Sequence, residues 1–222
     1  MNLKKVRVSY SYIGNFLNLL LQNEQRIKNM LLDYEIQSKL DTLPNGVEVK
    51  NLLFSKGNLR IRFTPVRVDY EYSLTAPNTN SLDIFESAYA FFKLLNEIFP
   101  DIAGGRIAIL SQSFIDNTNN KAIEEFTGKM GFSSSFGPCN ELSFKFNTPK
   151  VAFEDLNAVV NVDMGTAKNN ASKEEIKVLL LTIDVNTKAE QTAARFNPGN
   201  FKTDFKDLYS LIEERTAELE RY

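Results

Sequence analysis

Histidine and tryptophan are absent from this chain, cysteine occurs once, and no apolar run approaches the ~20 residues that span a bilayer. Without histidine there is no imidazole general base, no histidine member of a nucleophilic triad and no imidazole metal ligand. Catalysis would have to rest on Asp, Glu, Lys, Tyr or Cys. The one cysteine, Cys139, allows neither an intrachain disulfide nor a Cys-cluster zinc site, and no histidine exists to activate it as a nucleophile. It reads as a free thiol in a Gly/Ser/Pro-rich loop. Met1-Asn2-Leu3-Lys4-Lys5 opens like a signal peptide, but Arg7, Ser9 and Ser11 interrupt any apolar region behind it. A cytoplasmic, untargeted protein is the expectation.

Phenylalanine and tyrosine are plentiful, with 17 and 8 residues. Phenyl rings bury large apolar areas without needing a polar partner, so they are expected to carry much of the core. With 43% hydrophobic and 24% charged residues over 222 positions, the composition is that of a globular chain able to bury a sizeable core. The net charge of -2 conceals an asymmetry. Residues 1–72 hold 11 Lys/Arg against 7 Asp/Glu, and the remaining 150 hold 15 against 21, so a mildly basic third precedes an acidic remainder.

Periodicity divides the chain into alternating elements. Val6, Val8, Tyr10 and Tyr12 alternate with Arg7, Ser9 and Ser11 and predict a strand over 3–12. Apolar residues from Phe16 to Tyr34 predict one helix or two consecutive ones, closed by the turn Pro44-Asn45-Gly46. Strand-like runs follow through Val47–Phe54, Leu59–Phe63 and Val66–Tyr72, with a phase shift at Thr64-Pro65 that a tight turn or a bulge accommodates. A helix is predicted over 81–99, with Asp83 and Glu86 as a capping-box-like acid pair. Beyond Gly104-Gly105, strands are predicted at 106–115, 141–147, 157–164 and 176–186. Helices are predicted at 119–130 and 204–220, with a loop at Gly131–Asn140.

This order predicts an α+β fold: a mainly antiparallel sheet of about eight strands covered by long helices. It also predicts two similar halves, 1–100 and 101–222, each closing with strands, a polar loop and a helix. The link Pro100–Gly104 is too short for independent beads, so one compact unit is expected, built on one sheet or two. Either a duplicated scaffold or common α+β elements recurring by chance produces this likeness.

Chemistry is sparse. Gly104-Gly105-Arg106 leads into a strand, whereas a phosphate loop leads into a helix, so it reads as a turn. Asp163 and Asp184 lie on consecutive strands and could meet across a ladder to hold Mg²⁺, or could simply face solvent. Glu48-Val49-Lys50 with Asp41 upstream has the acid–x–Lys spacing of restriction-type nucleases, a pattern common by chance. No residue qualifies as catalytic or cofactor-binding, and no cofactor is expected. The strongest surface signal is basic: Lys5 and Arg7 on the first strand, with Arg60, Arg62 and Arg67 further on. A two-residue turn at Thr64-Pro65 would set Arg62 opposite Arg67, a repulsion that an anionic partner such as nucleic acid would relieve. An ordinary solvated sheet face is the other reading.

Arg106-Ile107-Ala108-Ile109 running to Phe114-Ile115-Asp116-Asn117, and Leu181–Val185 followed by Phe205, Leu208-Tyr209, Ile212 and Arg215-Thr216, carry a resemblance. Residues 105–117 and 176–216 resemble a sporadically distributed bacterial family of uncharacterised proteins. The family's glycine is Ala108 here and its second arginine is Leu110. The resemblance implies a fold and no activity. The expected function is that of a non-catalytic binding or regulatory protein acting through a protein partner. A nucleic-acid-binding module on the basic strands and a Phe-lined pocket for an apolar small molecule are the alternatives. A metal-dependent phosphodiesterase comes last.

Overall fold

The computed structural model of the chain describes residues 3–42, 46, 48–74, 80–117, 120–129, 143–149, 156–168, 174–188 and 193–221. The expected loop at 131–140, with Cys139, lies outside these residues, as do Pro44-Asn45 and Val47.

Strand β1 (Lys4–Ile13) follows the predicted alternation, with Val8, Tyr10 and Tyr12 buried. Helix α1 (Leu17–Met30) is interrupted by non-helical backbone at Asn23, so the one-or-two-helix ambiguity resolves as two consecutive helical segments meeting at a kink. Four strands follow: β2 (Glu35–Thr42), β3 (Glu48–Lys56), β4 (Leu59–Thr64) and β5 (Arg67–Ser73). Gly57 turns the chain between β3 and β4 at φ +57°, a conformation that glycine adopts without Cβ strain. The phase shift at Thr64-Pro65 is a tight turn in which Thr64 Oγ1 accepts from the Arg67 backbone N–H at 3.0 Å, and Pro65 falls where no ladder bond is required.

Helix α2 (Ser81–Ile98) begins as predicted, but its cap is Asn80, whose side chain accepts from the Leu82 N–H at 3.0 Å. Glu86 pairs instead with Lys202 at 2.8 Å. Strand β6 (Arg106–Asp116), helix α3 (Lys121–Lys129) and strands β7 (Ser143–Pro149), β8 (Leu156–Lys168) and β9 (Glu175–Thr187) follow. A 3-10 turn at Pro198–Asn200 leads into helix α4 (Phe201–Arg221).

The nine strands among the described residues form one antiparallel sheet in the order β2-β3-β4-β5-β1-β6-β9-β8-β7. Strand β1 pairs with β5 on one side and β6 on the other, and the β1–β6 ladder joins the two halves. Outward from this seam the halves wind alike: β1-β5-β4-β3-β2 and β6-β9-β8-β7, each with a helix after its first strand and another after its last.

The four helices among the described residues lie on one face, over a core of aromatic rings. Tyr10 meets Phe85, Phe201 and Phe205 at 5.6–5.9 Å between centroids, Phe92 stacks on Phe201 at 5.3 Å, and Phe201 stacks on Phe205 at 4.6 Å. Each fully buried Phe contributes about 1.5–3 kcal/mol from area alone. The ring packing adds a directional preference. Phe63 carries this layer to α2 through Phe91, and Phe144 carries it to α3 through Phe126. Among the described residues no helix is long and apolar enough to cross a membrane.

Candidate functional site

The opposite face of the sheet carries no helix among the described residues, and strand alternation projects there a mixture of polar and charged side chains with apolar ones such as Leu53, Leu110, Phe114, Val159 and Val178. The ladders order it in rows. One row runs Arg62, Asp69, Ser11, Ala108, Asn186 and Asn157 across β4, β5, β1, β6, β9 and β8. The adjacent row runs Arg60, Glu71, Ser9, Leu110, Asp184 and Val159.

The register of the β4–β5 hairpin corrects the expected opposition of like charges. Thr64, not Arg62, stands opposite Arg67, and Arg62 stands opposite Asp69 with Arg60 opposite Glu71. The loop has two residues, Pro65-Val66, where the expectation had begun the turn one residue earlier.

These carboxylates hold the local network. Asp69 is 5% exposed and accepts from Ser11 Oγ at 2.7 Å and from the Arg67 guanidinium at 2.7 Å, while Arg67 also donates to Ser11 Oγ at 2.9 Å. Glu71 takes Arg7 at 3.4 Å and lies 3.8 Å from Arg60. Farther along, Arg106 donates to Asn186 at 3.2 Å, Asn186 donates to Asp184 at 3.0 Å, and Gln112 donates to Thr182 at 3.1 Å.

Four of the five basic candidates, Arg7, Arg60, Arg62 and Arg67, therefore share this face. Lys5 does not. An irregularity between Lys5 and Arg7 shifts the β1–β6 register by one residue, and Lys5 instead reaches Ser81 Oγ at 2.9 Å and Glu213 at 3.2 Å in the helix layer.

Asp163 and Asp184 both lie on the helix-free face but in different rows. Asp163 stands opposite Leu180 and Asp184 opposite Val159, so each is four positions from the other's partner, roughly 13 Å along the strand. Asp163 accepts from Ser143 Oγ at 2.7 Å. Among the described residues no three acidic or thiol side chains come together as a metal ligand set. Lys50 pairs with Glu24 at 3.5 Å, and Asp41 is held by Lys39 and Asn51, so the Glu48/Lys50/Asp41 pattern is drawn into separate contacts. Gly104-Gly105, expected as a turn, precedes β6 as an isolated bridge from Gly104 to Phe196 followed by a bend at Gly105.

Two clefts lie in the helix layer. One of about 540 Å³ opens between the start of α1 and the segment after α2, lined by Asn15, Gln22, Arg26, Phe99 and Ala103. A smaller one of about 210 Å³ runs between α1 and β3 beside Leu20, Leu40 and Leu52. Nearer the core, burial pushes the Asp204 carboxyl up to about 6, and its Oδ2 is buried with no hydrogen-bond partner among the described residues. Burial, then the nearby Asp204 charge, raises the Tyr12 hydroxyl far above its ordinary range.

Sequence reasoning missed Ser9 and Ser11 as members of the arginine network, and its register set Asp69 opposite Arg60, where Glu71 stands. The signal was available in their shared alternation on β1 and β5, but which strands were neighbours was not. No protein-family model matches the chain, and no curated protein matches it.

Proposed function

We propose that this chain is a non-catalytic cytoplasmic binding protein acting through a protein partner, and that the helix-free face of its sheet receives that partner. The observation that carries this reading is the contrast between the two faces. One buries ring upon ring under the described helices, and the other carries the bonded arginine–carboxylate network of β4, β5 and β1 with no described helix over it. An antiparallel sheet tolerates one solvated face, but here polar groups on the middle strands are sunk and bonded to one another, as a preorganised recognition surface requires. Both signs of charge occur on it, Arg7, Arg60, Arg62 and Arg67 against Asp69, Glu71, Asp163 and Asp184, which suits a protein better than a polyanion.

Nucleic acid is the second reading, favoured by the exposed guanidiniums on β4. The apolar-ligand reading draws least support, since the core rings described above pack against one another.

We further propose that the halves descend from one duplicated unit. Their like winding about the β1–β6 seam supports this, with one strand fewer described in the second half.

Co-purification tests the functional reading. A tagged chain is compared with a variant of the helix-free face, Lys145→Glu with Asn161→Arg, and a variant of the helix layer, Lys93→Glu with Lys206→Glu. Loss of the same partner protein with the first variant only is the expected result. Retention with the first and loss with the second contradicts it.

A further inference from the structure

On strands β4, β5 and β1 of this face the acids are sunk and the arginines stand above them, while Glu35 on β2, two strands from Arg60 in the same row, is exposed. The side chains of Asp69 and Glu71 are 7% and 12% exposed, whereas those of Arg7, Arg67 and Arg60 are 36%, 42% and 59% exposed. Four guanidiniums thus share two carboxylates, and the two closest pairings are already made. Arg67 occupies Asp69, and Arg7 reaches Glu71. Arg60 has only its 3.8 Å approach to Glu71, and among the described residues Arg62 has neither an ion pair nor a hydrogen bond, although it faces Asp69 across the ladder. What solvent meets over β4 and β1 is cationic, on a lattice fixed by the sheet.

The size of that lattice selects the ligand. Arg60 and Arg62 are two residues apart on one strand, roughly 7 Å, and Arg7 lies two strands away from Arg60 and two residues along, roughly 12 Å. A patch of these dimensions matches two or three carboxylates. It is far smaller than the ~600 Å² or more that even a single nucleic-acid-binding module buries. A polyanion running beyond it would meet Asp184 on β9. An extended peptide with acidic residues at alternate positions repeats its carboxylates at the spacing of Arg60 and Arg62, and guanidinium pairs with carboxylate through a planar fork.

We propose that the partner docks through an extended acidic segment, with carboxylates at alternate residues, seated on Arg60 and Arg62 and flanked by Arg7. This rests on the reading that the helix-free face binds a protein.

The test is fluorescence anisotropy with a labelled eight-residue peptide alternating glutamate and threonine. The expected result is saturable binding, weakened at least tenfold by Arg60→Gln with Arg62→Gln. The equal-charge control, Lys93→Gln with Lys206→Gln in the helix layer, should stay within twofold. Thermal melts establish that both variants are folded. The proposal is overturned by no saturable binding, by equal weakening in both variants, by equal binding of a glutamine–threonine peptide, or by tighter binding of a labelled single-stranded oligonucleotide. If a captured protein partner still depends on Lys145 and Asn161 but not on Arg60 and Arg62, this inference fails while the functional reading stands.

Discussion

Arg62 and Asp69 face one another across the β4–β5 ladder, yet Asp69 spends its hydrogen bonds on Arg67 and Ser11 and leaves the Arg62 guanidinium in solvent. The two residues therefore have opposite weights. Asp69 is a buried hub, and its removal strands the Arg67 guanidinium and Ser11 together. Asp69→Ala should cost about 2–4 kcal/mol, while Arg62→Ala should stay within about 0.5 kcal/mol. Urea midpoints at constant m-value decide this, and equal effects would remove the basis for treating Arg62 as available to a ligand.

Asp204 gives a pH dependence of defined sign. Its folded-state value of about 6 lies above the ordinary 3.8, so the folded protein holds this proton more tightly than the unfolded chain. Its contribution is fully present below about 4 and is lost as pH rises through 6. Asp204→Asn should be the more stable form at pH 8, by about 1–2 kcal/mol after allowing for partial exposure, with the advantage shrinking towards pH 4. Thermal melts of both proteins across this window test the sign, and an advantage that grows on acidification would reverse it.

Phe201 begins α4 and contacts Tyr10, Phe85, Phe92 and Phe205. It is fully buried. Phe201→Ala should cost about 3–5 kcal/mol, against a few tenths for Leu94→Ala on the exposed side of α2. Comparison of the two melting curves checks that this ring cluster, rather than any apolar residue of the helix layer, holds the helices to the sheet.

Gly14 closes β1 where the chain passes the start of the second half. A Cβ there would meet Gly104 Cα at 3.0 Å and the Ala103 carbonyl oxygen at 3.3 Å, both backbone atoms that cannot rotate away. Gly14→Ala should destabilise by about 1–3 kcal/mol, which chemical denaturation measures. The same substitution should leave the midpoint unchanged if the two halves did not meet here.

Much of this fold was legible because burial imposes a period. Tyr10 and Tyr12 on β1, Ile183 and Val185 on β9 and the stripe Ile84, Ala88, Phe91, Leu95 on α2 all announce themselves by their spacing, and all are buried. Strand β2 escaped because it lies at the sheet edge with almost every residue exposed, including Ile36 and Leu40, so no face imposed an alternation on it. That strand is the difference between eight expected and nine found.

The arginine face was legible in part. Its strands could be read, but a one-residue difference in where the Thr64-Pro65 turn begins changes which charges oppose one another, and a one-residue irregularity near Val6 moves Lys5 to the other face. The separation of Asp163 and Asp184 is likewise a matter of register, which two long strands with similar alternation on each leave open until they are paired.

The account turns on the helix-free face being the surface the chain offers to its partner. The most direct measurement is site-specific photo-cross-linking in cells, with a photoreactive side chain placed singly at Arg62, Lys145 or Asn161 on that face and at Lys93, Leu94 or Lys206 in the helix layer. The account predicts one partner protein captured from the first three positions and from none of the second three. Capture from the helix-layer positions alone would contradict it.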